Sequence, residues 1–278
     1  MNSSKLNIDL EISLKQFFDQ LWQDYSAITP QAKTIQQAFS QQNTQLINDH
    51  VAFRTFDIPA MDIASLEKYL LALDYQLLDN YHFPDKHLSA CAYIHPDPSI
   101  AKIFLSQLHI DQLTEQSQQI ISHKLSTRSP LPDNASIFYS GRCWGLPDWD
   151  EYQVLRSESE YAAWLLTLGF HANHFTLDMN SLSQINNWQD LFNFMDQLGI
   201  KMNSEGGLIK GNPSVYLEQA STLADEIILE FDQGSKAVKS CFYEFAKRFP
   251  QADGSLYSGF VTNNANQIFS STNATNST

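Results

Sequence analysis

The chain has 278 residues, of which 43% are hydrophobic, so it can bury the core of one large domain or of two closely joined halves. Its 31 acidic and 17 basic residues give a formal net charge of −14, which excludes the basic surface typical of nucleic-acid-binding and anionic-membrane-binding proteins. The sequence shows no apolar run of membrane-spanning length, and its three cysteines are far apart. We therefore expect a cytoplasmic protein without a nucleic-acid or membrane partner.

The N-terminal region, residues 1–47, is predicted to be helical. Apolar side chains recur at helical spacing between Leu14 and Trp22, and Pro30 divides the region into two helices. An aromatic stripe of this kind is far more often core packing than a binding site, so we assign no chemistry to it.

The next stretch, Asn48–Phe56, is predicted to be a strand because aromatic and β-branched residues are dense in it. Side chains two residues apart share a face, so His50 and Arg54 point the same way. If that face borders a cavity, the pair becomes a metal ligand and an anion-binding group, whereas on an edge strand both would simply face water. A helix over residues 62–73 and three more strands complete a predicted βαβββ module, residues 48–110.

A predicted helical insertion, residues 111–170, leads to a second predicted module, residues 171–250, and a C-terminal segment and tail, residues 251–278, end the chain. Within the insertion, apolar side chains at helical spacing indicate a helix over residues 150–168. The second module is predicted to contain strands in residues 171–180, 215–219, 226–231 and 240–248, and another that starts at Ile200.

The two modules share a spacing that suggests an internal duplication. Leu73 closes the first helix 23 residues after His50, and Leu198 closes the second helix 24 residues after His174. A strand with an inward histidine, then a helix, then a new strand, is therefore repeated at matching distances.

Two further residues extend the candidate metal site. His171 and His174 are three residues apart and face opposite sides of a strand, so only one of them can be a ligand, and the more regular strand pattern around His174 favours that residue. Glu244 lies between aromatic residues of the last strand, where it either binds a metal or pairs with a basic side chain. Two histidines and one carboxylate form the set that holds non-haem Fe(II).

Four stretches carry a family resemblance: Asn48-Asp49-His50-Val51-Ala52-Phe53-Arg54, Asn173-His174-Phe175-Thr176, Leu217-Glu218-Gln219-Ala220-Ser221 and Tyr243-Glu244-Phe245. They resemble the family once called DUF1338, whose characterised members are 2-oxoadipate dioxygenase/decarboxylases, also called hydroxyglutarate synthases. The resemblance implies an α+β fold of the vicinal oxygen chelate type, in which two βαβββ modules form an open barrel around a metal and the added helices pack outside.

The resemblance also implies roles for single residues. His50, His174 and Glu244 match the family's metal ligands, with Fe(II) as the implied metal, and Arg54 matches the catalytic arginine that binds the substrate carboxylate. The implied reaction uses O2 to convert a small 2-oxo acid, 2-oxoadipate, into 2-hydroxyglutarate and carbon dioxide, within lysine catabolism. Arg54 would hold the carboxylate in a planar two-bond grip.

Other interpretations stay open. Gln219 and Ser221, on a neighbouring strand, are candidate substrate-binding residues, or core side chains that hydrogen-bond to the backbone. The same triad could hold Zn²⁺, Mn²⁺ or Ni²⁺ as a Lewis acid in a hydrolase, isomerase or lyase. Without a metal, the cavity could belong to a non-catalytic module that binds a small acid. The sequence leaves the oligomeric state undetermined.

Overall fold

The computed structural model describes residues 13–41 and 46–268. Within these ranges the helices are α1 (Leu14–Ile28), α2 (Pro30–Gln41), α3 (Ile63–Leu71), α4 (Glu115–Ser126), α5 (Trp149–Glu158), α6 (Glu160–Leu168), α7 (Trp188–Gln197) and α8 (Thr262–Ile268). The strands are β1 (Asn48–Phe56), β2 (Gln76–Phe83), β3 (Leu88–Ile94), β4 (Lys102–Leu108), β5 (Ala172–Asp178), β6 (Lys210–Asn212), β7 (Leu217–Ser221), β8 (Glu226–Phe231), β9 (Gly234–Lys239) and β10 (Phe242–Arg248). No helix in the described part of the chain is long and apolar enough to cross a membrane.

The two N-terminal helices predicted from the sequence are present. Ser13 caps α1 by accepting a hydrogen bond from the Gln16 backbone N–H, as part of a capping box, and α2 begins at Pro30. Tyr25 of α1 packs against Phe175 of β5, with ring centroids 4.9 Å apart. Because adjacent side chains on a strand point to opposite faces, α1 covers the face of β5 opposite His174.

The main sheet has eight strands in the order β2-β3-β4-β1-β5-β10-β7-β6. The central strands β1 and β5 pair antiparallel. On its other side, β1 pairs parallel with β4, and β5 pairs parallel with β10. The remaining pairs of the sheet are antiparallel. The units β1-α3-β2-β3-β4 and β5-α7-β6-β7-β10 therefore share one βαβββ topology, and the sheet curls into an open half-barrel. The predicted α+β fold with two such modules is confirmed.

The register of the two central strands relates the modules by an approximate twofold. His50 lies opposite Thr176, and Ala52 lies opposite His174. The two histidines thus occupy equivalent positions on neighbouring strands, as the repeated spacing in the sequence predicted.

The second module departs from the prediction at β6. The strand predicted from Ile200 is wrong, because Met202 forms only an isolated bridge with Thr222 and β6 spans just three residues. Gly206 and Gly207 have φ of 68° and 102°, a backbone conformation that interrupts an extended strand.

The strand predicted at residues 226–231 forms, as β8, but it lies outside the main sheet. It pairs with β9, which was not predicted, in a separate two-stranded sheet. Phe231 is the one fully buried residue of β8, and it packs edge-on against Trp149 of α5 with ring centroids 5.1 Å apart. The hairpin therefore leans on the insertion, and the assignment of β8 to the second module's sheet is wrong.

The helix predicted over residues 150–168 is divided in two. Ser159 ends α5 and also caps α6. The Tyr161 hydroxyl of α6 accepts a hydrogen bond from the Thr55 N–H at 2.9 Å and donates to the Ser106 carbonyl at 2.7 Å. These bonds hold α6 against β1 and β4, which brings its first residue, Glu160, next to the strand that carries His50.

Candidate metal centre

Three adjacent strands bring the predicted ligand set together. His50 of β1, His174 of β5 and Glu244 of β10 are buried, and each offers a ligand atom within 4.8 Å of the other two. The His50 Nε2 lies 3.5 Å from Glu244 Oε1, and the His174 Nε2 lies 3.4 Å from Glu244 Oε2. The three residues could hold a metal ion.

His171, the other histidine considered from the sequence, lies elsewhere. Its Nδ1 is 2.6 Å from Asp24 Oδ2 of α1, at a partly exposed site on the helical side of the sheet. The structure thus places His174, and not His171, beside His50.

Each histidine of the triad is oriented by the residue that precedes it. Asp49 Oδ1 lies 2.7 Å from His50 Nδ1, and Asn173 Oδ1 lies 3.1 Å from His174 Nδ1. Because both partners are acceptors, each ring carries its hydrogen on Nδ1 and presents the Nε2 lone pair toward Glu244. Burial lowers the pKa of both histidines, that of His174 well below its usual value, so both are neutral, the form that binds metals.

Glu244 is fully buried, and burial raises its pKa to about 8. The Gln219 Nε2 donates a hydrogen bond to its Oε1 at 2.7 Å, whereas its Oε2 has no hydrogen-bond partner among the described residues. The Glu244 Oε1 faces the Nε2 lone pair of His50, and its Oε2 faces that of His174, so the ionised carboxylate is costly here without a cation between these groups. A divalent cation would satisfy all three groups, so the residues present fit a metal.

A charged network lies behind His50. The Arg248 Nε and Nη2 donate to the two Asp49 oxygens at 2.6 and 2.8 Å. Burial acts to raise the pKa of Asp49, but the charge of Arg248 and the hydrogen bonds from His50 and Arg248 hold it well below its usual range. Sequence reasoning missed Asp49, Asn173 and Arg248, although the repeated Asp-His and Asn-His pairs were a visible signal.

Arg54 lines the same cavity as the triad. Its Nη1 donates to both oxygens of Glu160, at 3.1 and 3.2 Å, and its guanidinium lies 4.9 Å from the ring centroid of Tyr161 and 5.0 Å from that of Trp164. The predicted anion-binding arginine therefore has a carboxylate of the chain itself beside it. No pattern in the sequence indicated Glu160, which lies 106 residues from Arg54 along the chain.

The cavity next to the triad is small and mostly apolar. Its volume is about 30 Å³, and Phe53, Phe104 and Phe260 form much of its wall. Phe260, in the segment that leads into α8, packs edge-on against His50 with ring centroids 4.8 Å apart. The C-terminal segment therefore closes the site in this structure.

The two candidate substrate-binding residues on β7 are placed differently. Gln219 lines the cavity and bonds Glu244, whereas Ser221 is absent from the cavity lining, is fully buried and lies opposite Glu244 in the β7–β10 register. Gln219 therefore contacts a candidate metal ligand directly.

A family sequence profile described as 2-oxoadipate dioxygenase/decarboxylase matches residues 17–140 and 138–251 of the chain. The chloroplastic 2-oxoadipate dioxygenase/decarboxylase of Arabidopsis thaliana is 35% identical in an alignment 255 residues long, and the match covers 82% of this chain and 68% of that protein. The profile match spans the two modules.

Solved structures agree with these matches. The hydroxyglutarate synthase of Oryza sativa, in complex with 2-oxoadipate, is similar at a TM-score of 0.85 and 29% identity over 98% of both chains. A protein of Shewanella frigidimarina named as a candidate hydrolase also has a TM-score of 0.85, at 38% identity over 91% of this chain and 99% of the other. A glyoxalase superfamily protein of Ralstonia eutropha, at a TM-score of 0.75 and 20% identity over 88% and 84% of the chains, shows the shared vicinal oxygen chelate fold.

Proposed function

The chain belongs to the 2-oxoadipate dioxygenase/decarboxylase family, and from this membership we propose that it uses Fe(II) and O2 to convert 2-oxoadipate into 2-hydroxyglutarate and carbon dioxide. The observation that supports this most is the burial of His50, His174 and Glu244 in one cavity with Arg54. A cation site and an anion-binding side chain so close together suit a substrate with two carboxylates.

The triad would hold the metal through two histidines and one carboxylate, which leaves other coordination positions open. Fe(II) bound there supplies the redox chemistry that activates dioxygen. The chain keeps the ligands in position: Asp49 and Asn173 hold the two imidazoles by their Nδ1–H groups, and Gln219 holds Glu244 by Oε1, which leaves Oε2 facing His174.

Arg54 would bind the carboxylate of the substrate that is distant from the metal. It lies four residues from His50 on β1, which separates their backbones by about 13 Å. Both residues line one cavity, and the long side chain of Arg54 would cover part of this distance and leave a span that suits a short dicarboxylate. Its planar guanidinium can donate two parallel hydrogen bonds to a carboxylate, which the ammonium of a lysine cannot do.

The aromatic wall would keep water away from the reacting atoms. Phe53, Phe104 and Phe260 line the cavity, and a dry site strengthens the attraction between charged groups inside it. Because the cavity of about 30 Å³ holds about one water molecule, a six-carbon acid enters only when the closing side chains move.

Non-redox metal chemistry is the alternative, and it would use the same three ligands. The Shewanella frigidimarina protein named as a candidate hydrolase makes this a class to be tested. A Lewis-acid enzyme would act on its substrate without O2.

The protein is first loaded with Fe(II) under anaerobic conditions. The test is its oxygen uptake after O2 and a 2-oxo acid are added. With 2-oxoadipate we expect one O2 consumed for each carbon dioxide released, and 2-hydroxyglutarate as the product by mass spectrometry. A second assay with 2-oxohexanoate, which has the same chain length but no distal carboxylate, should show much slower turnover. Turnover without O2, or iron binding without oxygen uptake for any 2-oxo acid in a panel, would overturn the proposal.

A further inference from the structure

A chain of hydrogen bonds connects the C-terminal helix to the candidate ligand Glu244. Asn264 of α8, only 2% exposed, donates through its Nδ2 to the Gln219 Oε1 at 3.1 Å, and the Gln219 Nε2 donates to Glu244 Oε1 at 2.7 Å. The same Asn264 Nδ2 also donates to the Leu217 carbonyl at 3.3 Å.

The Leu217 carbonyl determines which groups donate and which accept in this series of hydrogen bonds. The backbone carbonyl of Leu217 can only accept, so the amide nitrogen of Asn264 must face it. The Gln219 oxygen then faces Asn264, which turns the Gln219 N–H toward Glu244. If the Gln219 amide were reversed, its oxygen would face the ionised carboxylate that Glu244 must present to a metal, and two acceptors would repel each other.

The fold makes room for Asn264 at one glycine. Gly211 of β6 has a φ of +83°, and a Cβ placed there would lie 2.4 Å from Asn264 Nδ2 and 2.2 Å from the Leu217 carbonyl oxygen. A side chain at this position would therefore prevent the approach of Asn264.

The hydrogen bonds from Asn264 through Gln219 to Glu244 are found in only one of the two modules, the second. The strand registers make Ala90 of β3 equivalent to Gln219, and Phe104 equivalent to Glu244. The first module thus has two apolar side chains where the second has a carboxylate and the amide that bonds it. The Gln219 amide accompanies the carboxylate and is not required by the repeated fold.

We infer that Asn264 is a positioning residue: it sets the direction of the Gln219 amide and thereby the orientation of Glu244 toward a metal. The inference rests on the proposed function in one respect, that Glu244 is a metal ligand. It follows that the packing of α8 affects the affinity of the site for its metal. This helix follows Phe260, which covers His50.

The most informative variant is Asn264→Asp. A carboxylate cannot donate to the Gln219 oxygen, so the Gln219 amide would turn and present its oxygen to Glu244. Coulomb attraction alone would make an added negative charge strengthen cation binding. A purely electrostatic effect therefore predicts a higher metal affinity for Asn264→Asp, whereas the inference predicts a lower one. Asn263→Asp is the matched control, because Asn263 is the adjacent, exposed asparagine of the same helix.

The readout is the dissociation constant of Co²⁺, measured from the visible absorption of the cobalt-loaded protein. Titrations are made at a temperature at which circular dichroism shows every metal-free variant to be folded. Loss of a group that orients a ligand typically weakens metal binding by about 10-fold to 100-fold. We expect a change in this range for Asn264→Asp, a smaller weakening for Asn264→Ala, and a constant within about 2-fold of wild type for Asn263→Asp.

The outcomes separate the inference from the proposed function. If wild type binds Co²⁺, His174→Ala does not, and both Asn264 variants bind as tightly as wild type, the inference is wrong and the metal site stands. Tighter binding by Asn264→Asp also overturns it. If wild type does not bind Co²⁺, both the inference and the proposed metal site fail.

Discussion

The two modules of the main sheet have one topology but place different side chains at equivalent positions. The strand registers make His50 equivalent to His174, and they make Phe104 of β4 equivalent to Glu244 of β10. The central strands therefore supply two identical ligands, whereas their parallel neighbours supply an aromatic wall in one module and a carboxylate in the other.

The same difference continues four residues along the central strands. Arg54 of β1 lines the cavity, whereas the equivalent Asp178 of β5 accepts a hydrogen bond from the Asn180 N–H in the turn that follows. One module thus contributes the basic group and the other the acidic ligand. The repeated scaffold provides the pair of histidines, and the positions at which the copies differ give the site a metal side and a substrate side.

The residues that hold the two histidines also differ. Asp49 is charged and paired with Arg248, which is itself 4% exposed, whereas Asn173 is a neutral amide. Both fix the same imidazole tautomer, but only the first is part of a buried ion pair.

The largest effect is expected from removing one of the two equivalent histidines. His174→Ala should abolish metal retention, because only His50 and Glu244 remain as ligands. His171→Ala, three residues away, should retain the metal, since His171 contacts Asp24 instead. Elemental analysis after dialysis measures both, and full metal content in the His174 variant would show that the equivalence of the two histidines has no functional meaning.

The next effect tests the difference between Asp49 and Asn173. Asp49→Asn leaves the buried charge of Arg248 without its carboxylate, which costs about 3–5 kcal/mol. Asn173→Ala removes a single neutral hydrogen bond, which costs about 1 kcal/mol. Urea unfolding of the metal-free variants gives both values. Similar losses in the free energy of unfolding for the two variants would mean that the ion pair does not distinguish the modules.

The smallest of the three effects concerns Arg54. Arg54→Lys keeps the charge but loses the two-bond geometry, so we expect activity to fall by about 10-fold or more, equivalent to about 1.5–3 kcal/mol. Metal content should stay close to wild type. The variant should also lose most of the preference for 2-oxoadipate over 2-oxohexanoate, and an unchanged preference would assign Arg54 a structural role beside Glu160.

Local patterns in the sequence were enough to predict much of the fold and to suggest candidates for the triad. Aromatic and β-branched density predicted β1, and the matched spacing after His50 and His174 predicted the duplication that the sheet order confirms. Strand alternation indicated which face of its strand His50, His174 and Glu244 each occupy, and the family resemblance supplied their expected role as ligands.

Other features depend on contacts that no local pattern reveals. The Arg54–Glu160 pair joins β1 to the insertion, and Asn264 reaches Gln219 from the C-terminal helix. The strand predicted from Ile200 fails for a different reason, because the alternating residues 200–202 are soon followed by Gly206 and Gly207, whose positive φ angles interrupt an extended strand. Long-range polar partners and glycine geometry therefore had to come from the structure.

The position of β10 has a consequence for the order in which the strands of the main sheet can pair during synthesis. Among the described residues it is the last strand of the main sheet in sequence, yet it lies between β5 and β7. During synthesis, β2, β3, β4, β1 and β5 can pair as the ribosome delivers them, whereas β6 and β7 have no connection to that sheet until Phe242–Arg248 emerges. The nascent chain holds both histidines well before it holds Glu244, so the emergence of β10 sets the earliest moment at which a metal can meet the full triad.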